Sequence, residues 1–244
     1  MKSNIEGTWN LLEACRLSSW VKRIVVASSD KAYGAQEILP YTEDAPMQGR
    51  HPYDISKSCA DLIAQSYFHT YKLPVCVTRC GNFFGGGDLH FNRIIPGTIK
   101  SVLQNEKPII RSNGLFIRDY VYVKDVVDAY LTLAQQMDNK DIVGQCFNFS
   151  TDHPFNVIEI VDEILNVMDA QHLKPVILNQ ASNEISEQHL SSKKAKEMLN
   201  WKAKFGVIVG LKETINWYRQ FFSDQQKEQF FIKNENFKAE QTLI

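Results

Sequence analysis

Near the amino terminus, apolar residues recur at helical spacing (Ile5, Trp9, Leu11, Leu12 and Cys15), and Ser3 with Glu6 three residues on makes a capping-box pattern. A helix is expected from almost the first residue. From Arg23 to Ser28 the pattern changes to a β-branched run with little alternation, which predicts a strand buried on both faces of a parallel sheet. A polar loop, 29–50, follows. Ile55, Cys59, Leu62, Ile63 and Tyr67 then form the apolar stripe of a helix running to about Tyr71, and Pro74 introduces a second strand, Val75 to Arg79. Strand, helix and strand in that order predict a right-handed parallel crossover. Farther on, helical spacing covers Val123 to Met137, Cys146 to Phe149 reads as a short strand returning to the sheet, and Asn156 caps a helix ending at Met168. Val176 to Leu178 is a small strand and Val207 to Phe222 a last amphipathic helix. Residues 223–244, dominated by Lys, Glu and Gln, read as a partly disordered tail.

Composition narrows the class. With 244 residues, 44% of them hydrophobic and 23% charged, the chain can bury a proper core in one large or two small domains. The net charge of -1 leaves no basic footprint for a nucleic acid and no polybasic membrane patch. No apolar run approaches the ~18 residues of a membrane span, and nothing near Met1 resembles a signal peptide. Five cysteines, an odd number without C-x-x-C and mostly within apolar patterns, read as buried thiols in a reducing compartment, with the cytoplasm as the default. Glu187 and His189 have no second ligand at metal spacing, so no metal is expected.

The candidate chemistry centres on Tyr53 and Lys57, four residues apart at the start of a helical pattern and therefore on one helix face. An ammonium beside a phenol favours the phenolate, which turns a tyrosine into a base for a hydroxyl proton. Taken alone, the pair is more often an ordinary surface contact. Gly81 to Asn92 is a glycine-rich loop after a strand, but Gly85, Gly86 and Gly87 lack the Lys and Ser/Thr of a phosphate-binding loop, so they imply close backbone approach instead. Arg93, Arg111 and Arg118 are candidates for a diphosphate, because a guanidinium fork matches phosphate oxygens. Arg118 leads, since it interrupts an apolar strand pattern.

Ser28-Ser29-Asp30-Lys31-Ala32-Tyr33-Gly34, then Tyr53-x-x-x-Lys57, then Arg79-Cys80-Gly81-Asn82-x-x-Gly85 together resemble the extended short-chain dehydrogenase/reductase family of nucleotide-sugar epimerases and dehydratases. The likeness extends from Asn4 to about Tyr218, and Leu190 to Leu199 followed by Trp201 is similar to that family's closing helix. Within the family, Lys31 in place of a glutamate, together with the stretch Phe116 to Asp125, most resembles the CDP-glucose branch of the 4,6-dehydratases.

The resemblance implies an α/β fold: a partial Rossmann-like parallel sheet over 1–88, with 119–150 returning to it. A smaller α/β substrate-binding region would cover 89–118 and 151–222, and 223–244 would be the tail. It also implies NAD as cofactor and a lyase reaction on a nucleotide-sugar substrate, CDP-glucose, that yields a 4-keto-6-deoxy sugar nucleotide. No nucleic acid or membrane partner is implied, and the full-length form is expected to be a homo-oligomer.

By the same resemblance Tyr53 removes a proton with Lys57 beside it, Ser29 bonds the reacting hydroxyl, Asp30 is the acid for the hydroxyl leaving C6, and Lys31 is a candidate base at C5. Ser28, Cys80 and Gly81 lie near the nicotinamide, and Asn82 contacts the substrate phosphate. No G-x-G-x-x-G opens a strand–helix unit and no acidic residue follows to hold an adenine ribose, so the N-terminal strands of the family's cofactor-binding half are expected to be missing. A fragment, a mis-started gene or half of a split protein, inactive as given and with an open sheet edge at Arg23 to Ser28, follows as an expectation. The alternatives are a non-catalytic remnant or assembly partner, and a 4-epimerase of the same family.

Overall fold

The structure, a computed structural model, describes residues 1–181 and 184–241, with side chains as far as Asp224. The chain opens in a π-type helical stretch, Lys2–Glu6, that continues directly into α1 (Gly7–Leu17). Neither start carries a side-chain cap, so the expected capping box does not form. The reason is local. Ile5 N–H already bonds Met1 O and Glu6 is helical, which leaves Ser3 inside the first turn rather than at its head. Only Leu12 of α1 is buried, while Trp9 and Leu11 face solvent.

β1 (Ile24–Ala27) runs parallel to β2 (Val75–Cys80), and the two are joined through α2 (Pro52–Tyr71). Pro52 starts α2 at a position where its missing N–H costs nothing, and Lys72 closes it in the left-handed region. β2 is buried throughout, whereas in β1 only Ile24 is. The expectation of a β1 strand buried on both faces is therefore corrected: β1 stands at the edge of the three-stranded order β1-β2-β7, with a neighbour on one side. The buried face of α2 is also not the expected stripe. Ile55 and Leu62 are exposed, and Ala60, Ala64 and Tyr67 with the polar Asp54, Ser56 and Asp61 face inward. Small side chains let α2 approach the sheet closely, and Asp61 is drawn in by a buried partner, Arg79.

After β2 come β3 (Asn82–Phe84), α3 (Ile94–Leu103), β4 (Ile109–Ile110), β5 (Ile117–Arg118), β6 (Tyr120–Tyr122) and α4 (Val123–Gln136). β7 (Cys146–Phe149) then lies parallel on the other side of β2, from Val77↔Cys146 to Cys80↔Phe149. β8 (Phe155–Asn156) leads into α5 (Val157–Val167), where Asn156 and Glu159 do form a capping box. β9 (Val176–Ile177) pairs with β4, and β10 (Glu187–Gln188) pairs parallel with β5, which pairs antiparallel with β8. α6 (Lys193–Leu199) starts later than Leu190, because Leu190 is held in a bridge to Tyr41. α7 (Gly206–Gln241) continues past Phe222, where a tail was expected, and 242–244 of that tail lie outside the described residues.

Two large cores hold these layers together. One packs α4, β2, β7 and α6 around Leu133, Phe147, Phe149 and Trp201. The other packs α3, α5, β6 and α7 around Ile99, Ile160, Ile164, Leu211 and Tyr218. The glycines after β2 mark backbone approach to protein: an added Cβ would lie 2.4 Å from Asp119 Cβ at Gly81, 2.5 Å from Val123 Cγ1 at Gly85 and 2.4 Å from the Trp217 ring at Gly86.

Candidate active site

Two cavities of about 800 and about 500 Å³ adjoin at the carboxyl ends of β1 and β2, where open α/β sheets place their ligands. Lys31, Asn82, Arg93, Ile94 and Tyr120 line both. The smaller cavity collects Ser28, Ser29 and Asp30 from the end of β1, Tyr53 and Lys57 from the first turns of α2, and Cys80 and Gly81 from the end of β2. The larger one takes in Arg111, Arg118, His51 and Asp54. These residues come from several separate segments of the chain. The parallel register Ala27↔Thr78 brings the strand ends together.

Ser29 caps the turn Asp30–Tyr33. Its Oγ accepts from Lys31 N–H at 3.2 Å and donates to Asp30 Oδ1 at 2.9 Å. Asp30 is 2% exposed, and its Oδ2 has no hydrogen-bond partner among the described residues. Lys31 Nζ stands 3.9 Å from that oxygen, and Ser28 Oγ is likewise buried with no hydrogen-bond partner among the described residues. Lys31 Nζ donates to Gln188 Oε1. The turn is anchored from below: Tyr33 hydroxyl donates to Asn148 Oδ1 at 2.7 Å and accepts from Arg79 at 2.9 Å.

Tyr53 is half exposed, and burial of its phenol raises its pKa while the bond with Ser29 pulls it down; the Asp30 charge raises it and Arg93 lowers it. Lys57 is not among the groups that lower it. Its ammonium donates to Ala27 O at 2.9 Å, and burial lowers its own pKa. On balance burial holds the Tyr53 phenol above its ordinary value, so the expected depression does not arise among these residues, and the groups that pull it down are Ser29 and Arg93 rather than Lys57. Cys80 is fully enclosed and burial pushes its thiol up, so it presents a neutral wall.

The arginines differ in availability. Arg93 is exposed and paired with Asp88 at 2.9 Å; Arg111 is exposed and donates to Asn92 Oδ1 at 2.7 Å. Arg118 is buried, with its fork on the carbonyls of Ile117, Ile185 and Ser186 and Glu184 at 3.5 Å. Its guanidinium holds the 184–186 segment against β5. Asn82 lines both cavities, and its N–H bonds Asp119 O at 3.0 Å. Glu187 and His189 contact each other at 3.1 Å, and among the described residues no three metal-ligating side chains converge.

Residues not singled out as site candidates from the sequence also shape the site. Asp119 sits against Gly81 and accepts from Leu190 N–H at 2.6 Å and Ser150 Oγ at 2.8 Å. Its position directly after Arg118 is the one hint it offers. Gln188, 158 residues from Asp30, offers none.

The family model for the NAD-dependent epimerase/dehydratase family matches residues 1–148. The chain belongs to that family. Among curated relatives of this epimerase/dehydratase chain, the human dTDP-D-glucose 4,6-dehydratase is 29% identical over 226 residues, covering 90% of this chain and 62% of the relative. The CDP-glucose 4,6-dehydratase of Salmonella typhimurium is 30% identical over 235 residues, covering 89% and 64%. The chain thus spans about three-fifths of the length of these relatives. A solved dTDP-glucose 4,6-dehydratase from Bacillus anthracis, in complex with NAD, superposes with a TM-score of 0.80 at 28% identity, covering 90% of this chain and 68% of that one. The α/β architecture with its parallel sheet is that of this epimerase/dehydratase structure. Overall identity does not separate the CDP from the dTDP relatives.

Proposed function

We propose that this chain serves an NAD-dependent 4,6-dehydratase reaction on a nucleotide hexose, with CDP-glucose as the substrate. The observation that carries the reading is the convergence of Ser29, Asp30, Lys31, Tyr53 and Lys57 on one cavity wall. The residues there suit the reacting end of a nicotinamide cofactor: Ser28 and Asp30 line the cavity, and their buried Oγ and Oδ2 atoms have no hydrogen-bond partner among the described residues. When bound, NAD supplies a hydride acceptor that later returns the hydride. Ser28, Tyr53, Lys57, Cys80 and Gly81 are the residues that would hold that end.

This chain's own residues handle the protons. Tyr53 takes the proton of the C4 hydroxyl, with Ser29 bonded to the same oxygen and Lys57 fixing the strand end below. Lys31, in its neutral amine form, takes the proton from C5, the C5–H electrons form the C5–C6 double bond, and the C6 hydroxyl leaves as water with a proton from Asp30. The larger cavity, with Asn82, Arg93 and Arg111 at its polar wall, suits the sugar nucleotide, and CDP over dTDP rests on Lys31 standing beside Asp30. A 4-epimerase needs no acid for a leaving hydroxyl. The buried Asp30 carboxyl therefore favours the dehydratase reading.

The test incubates the chain with NAD and CDP-glucose, dTDP-glucose or UDP-glucose and follows 4-keto-6-deoxy product. Tyr53→Phe should lower turnover by roughly 10²- to 10⁴-fold, as removal of a general base does, with little change in nucleotide-sugar binding. A C4 epimer without loss of water would instead support the epimerase alternative. Binding of CDP-glucose with no chemistry in the presence of NAD would support the non-catalytic one.

A further inference from the structure

We propose that Gln188 is a positioning residue for the acid–base pair, holding Lys31 and Asp30 in register from a strand 158 residues beyond Asp30 in the chain; this rests on the dehydratase reading above. Gln188 is completely buried, and its amide is divided between two consecutive residues of one turn. Nε2 donates to Asp30 O at 2.9 Å and Oε1 accepts from Lys31 Nζ. A buried amide needs partners, but any backbone groups would satisfy it. Here both halves of the amide reach the two residues assigned to proton transfer.

Geometry gives the arrangement its consequence. Lysine carries its charge on a flexible four-carbon stem, and the Lys31 side chain keeps 25% of its surface in solvent, so without an acceptor its ammonium samples many rotamers. The Asp30 carboxylate is the neighbouring anion, and its Oδ2 lies at 3.9 Å, beyond hydrogen-bond reach. Gln188 therefore supplies the contact that keeps the Lys31 nitrogen off Asp30 and at the junction of the two cavities, which Lys31 lines together. Its backbone is itself fixed: β10 pairs Gln188 with Arg118, whose guanidinium holds the Ile185 and Ser186 carbonyls, and Leu190 N–H bonds Asp119. Glu184 and Ile185 of the same segment line the larger cavity. One short stretch thus joins the wall of the substrate cavity to the acid–base turn.

The experiment compares the full chain with Gln188→Met, which keeps the length and removes both contacts, and Gln188→Glu, which keeps the acceptor for Lys31 and removes the donor to Asp30 O. Lys31 acetylation by a water-soluble active ester is followed by peptide mass spectrometry, with exposed Lys107 as internal reference and thermal melting as the fold control. In Gln188→Met, Lys31 should be acetylated about tenfold faster, the ratio expected for losing one charge-assisted hydrogen bond. In Gln188→Glu its rate should stay close to that of the parent. If Gln188→Met does not fold, Gln188→Asn, one methylene too short to reach Lys31, should show the same rise. Lys31 rates within about twofold of the parent in a folded Met or Asn variant, or an equal rise in Gln188→Glu, would overturn the proposal.

In the NAD-loaded protein, Gln188→Met should lower kcat for dehydration about tenfold with KM little changed, while oxidation at C4 in a single turnover is retained. Equal loss of both steps, in proportion to melting temperature, would mean a merely structural role. If the parent dehydrates no nucleotide hexose, the proposed function fails, and the acetylation result still decides whether Gln188 holds Lys31.

Discussion

Arg79→Met is expected to be among the most damaging single changes in the chain. Arg79 and Asp61 are buried, their side chains 3% and 0% exposed, and they meet through two bonds, Nε at 2.8 Å and Nη2 at 3.0 Å. Burial alone would lower the pKa of Arg79, but the Asp61 hydrogen bonds and charge outweigh it and hold the guanidinium charged, above its ordinary value. Arg79 also donates to Tyr33 hydroxyl at 2.9 Å and to Glu43 O at 3.1 Å. Removing it leaves Asp61 with Gln65 Nε2 at 2.7 Å and a weak Cys146 thiol contact at 4.0 Å. An uncompensated buried carboxylate of this kind costs about 3–5 kcal/mol. For a chain of this size that is a melting-temperature drop of roughly 6–20 °C. Circular dichroism melts of Arg79→Met, Asp61→Leu and the double variant form the assay. The double variant should recover most of the loss, because replacing a whole buried pair by apolar groups is close to neutral. A drop below about 2 °C in the single variant, or strict additivity in the double, would refute the reasoning.

Asp119 gives a pH signature. Burial pushes its carboxyl from 3.8 up to about 7, against the opposing pull of the Leu190 and Ser150 bonds. The protonated form is favoured in the fold, so its contribution is complete below about pH 4, declines as pH rises through the range up to 7, and is gone above that. Asp119→Asn, which cannot ionise, should flatten the slope of stability between pH 4 and 7; an unchanged profile in urea titrations would count against it. Gly144→Ala should cost about 2–4 kcal/mol, since φ is +86° and the new Cβ would lie 2.1 Å from Phe68 Cε1. Adding Phe68→Ala should relieve the clash and leave the backbone part, and denaturant midpoints measured across all three variants would expose a failure of either step.

Much of the architecture was legible because it rests on local rules. The β-branched run at β1, Pro52 at the head of α2, the capping box of Asn156 and Glu159, and the return of Cys146–Phe149 to the sheet are all expressed within a few residues of one another. Short local signals failed where a neighbour decided the outcome. Ser3 and Glu6 have the right spacing for a cap, but the turn starts two residues earlier at Met1. Ile55 and Leu62 have the right period for a buried stripe, but α2 turns Ala60, Asp61 and Ala64 inward because Asp61 must reach Arg79.

By itself, the sequence determined the family, the α/β layering and the list of residue types able to do acid–base chemistry, since motif spacing and side-chain periodicity are properties of neighbouring positions. Tertiary structure decided which of those groups share a wall and what state each is in. Lys57 bonds the Ala27 carbonyl instead of acting on Tyr53, the Arg118 fork closes on the 185–186 backbone, and Asp30 is left with an unpartnered oxygen beside a lysine held from β10. Each outcome depends on atoms that meet across tens of residues, and burial and hydrogen-bond partners over such distances exist only once the chain has closed on itself.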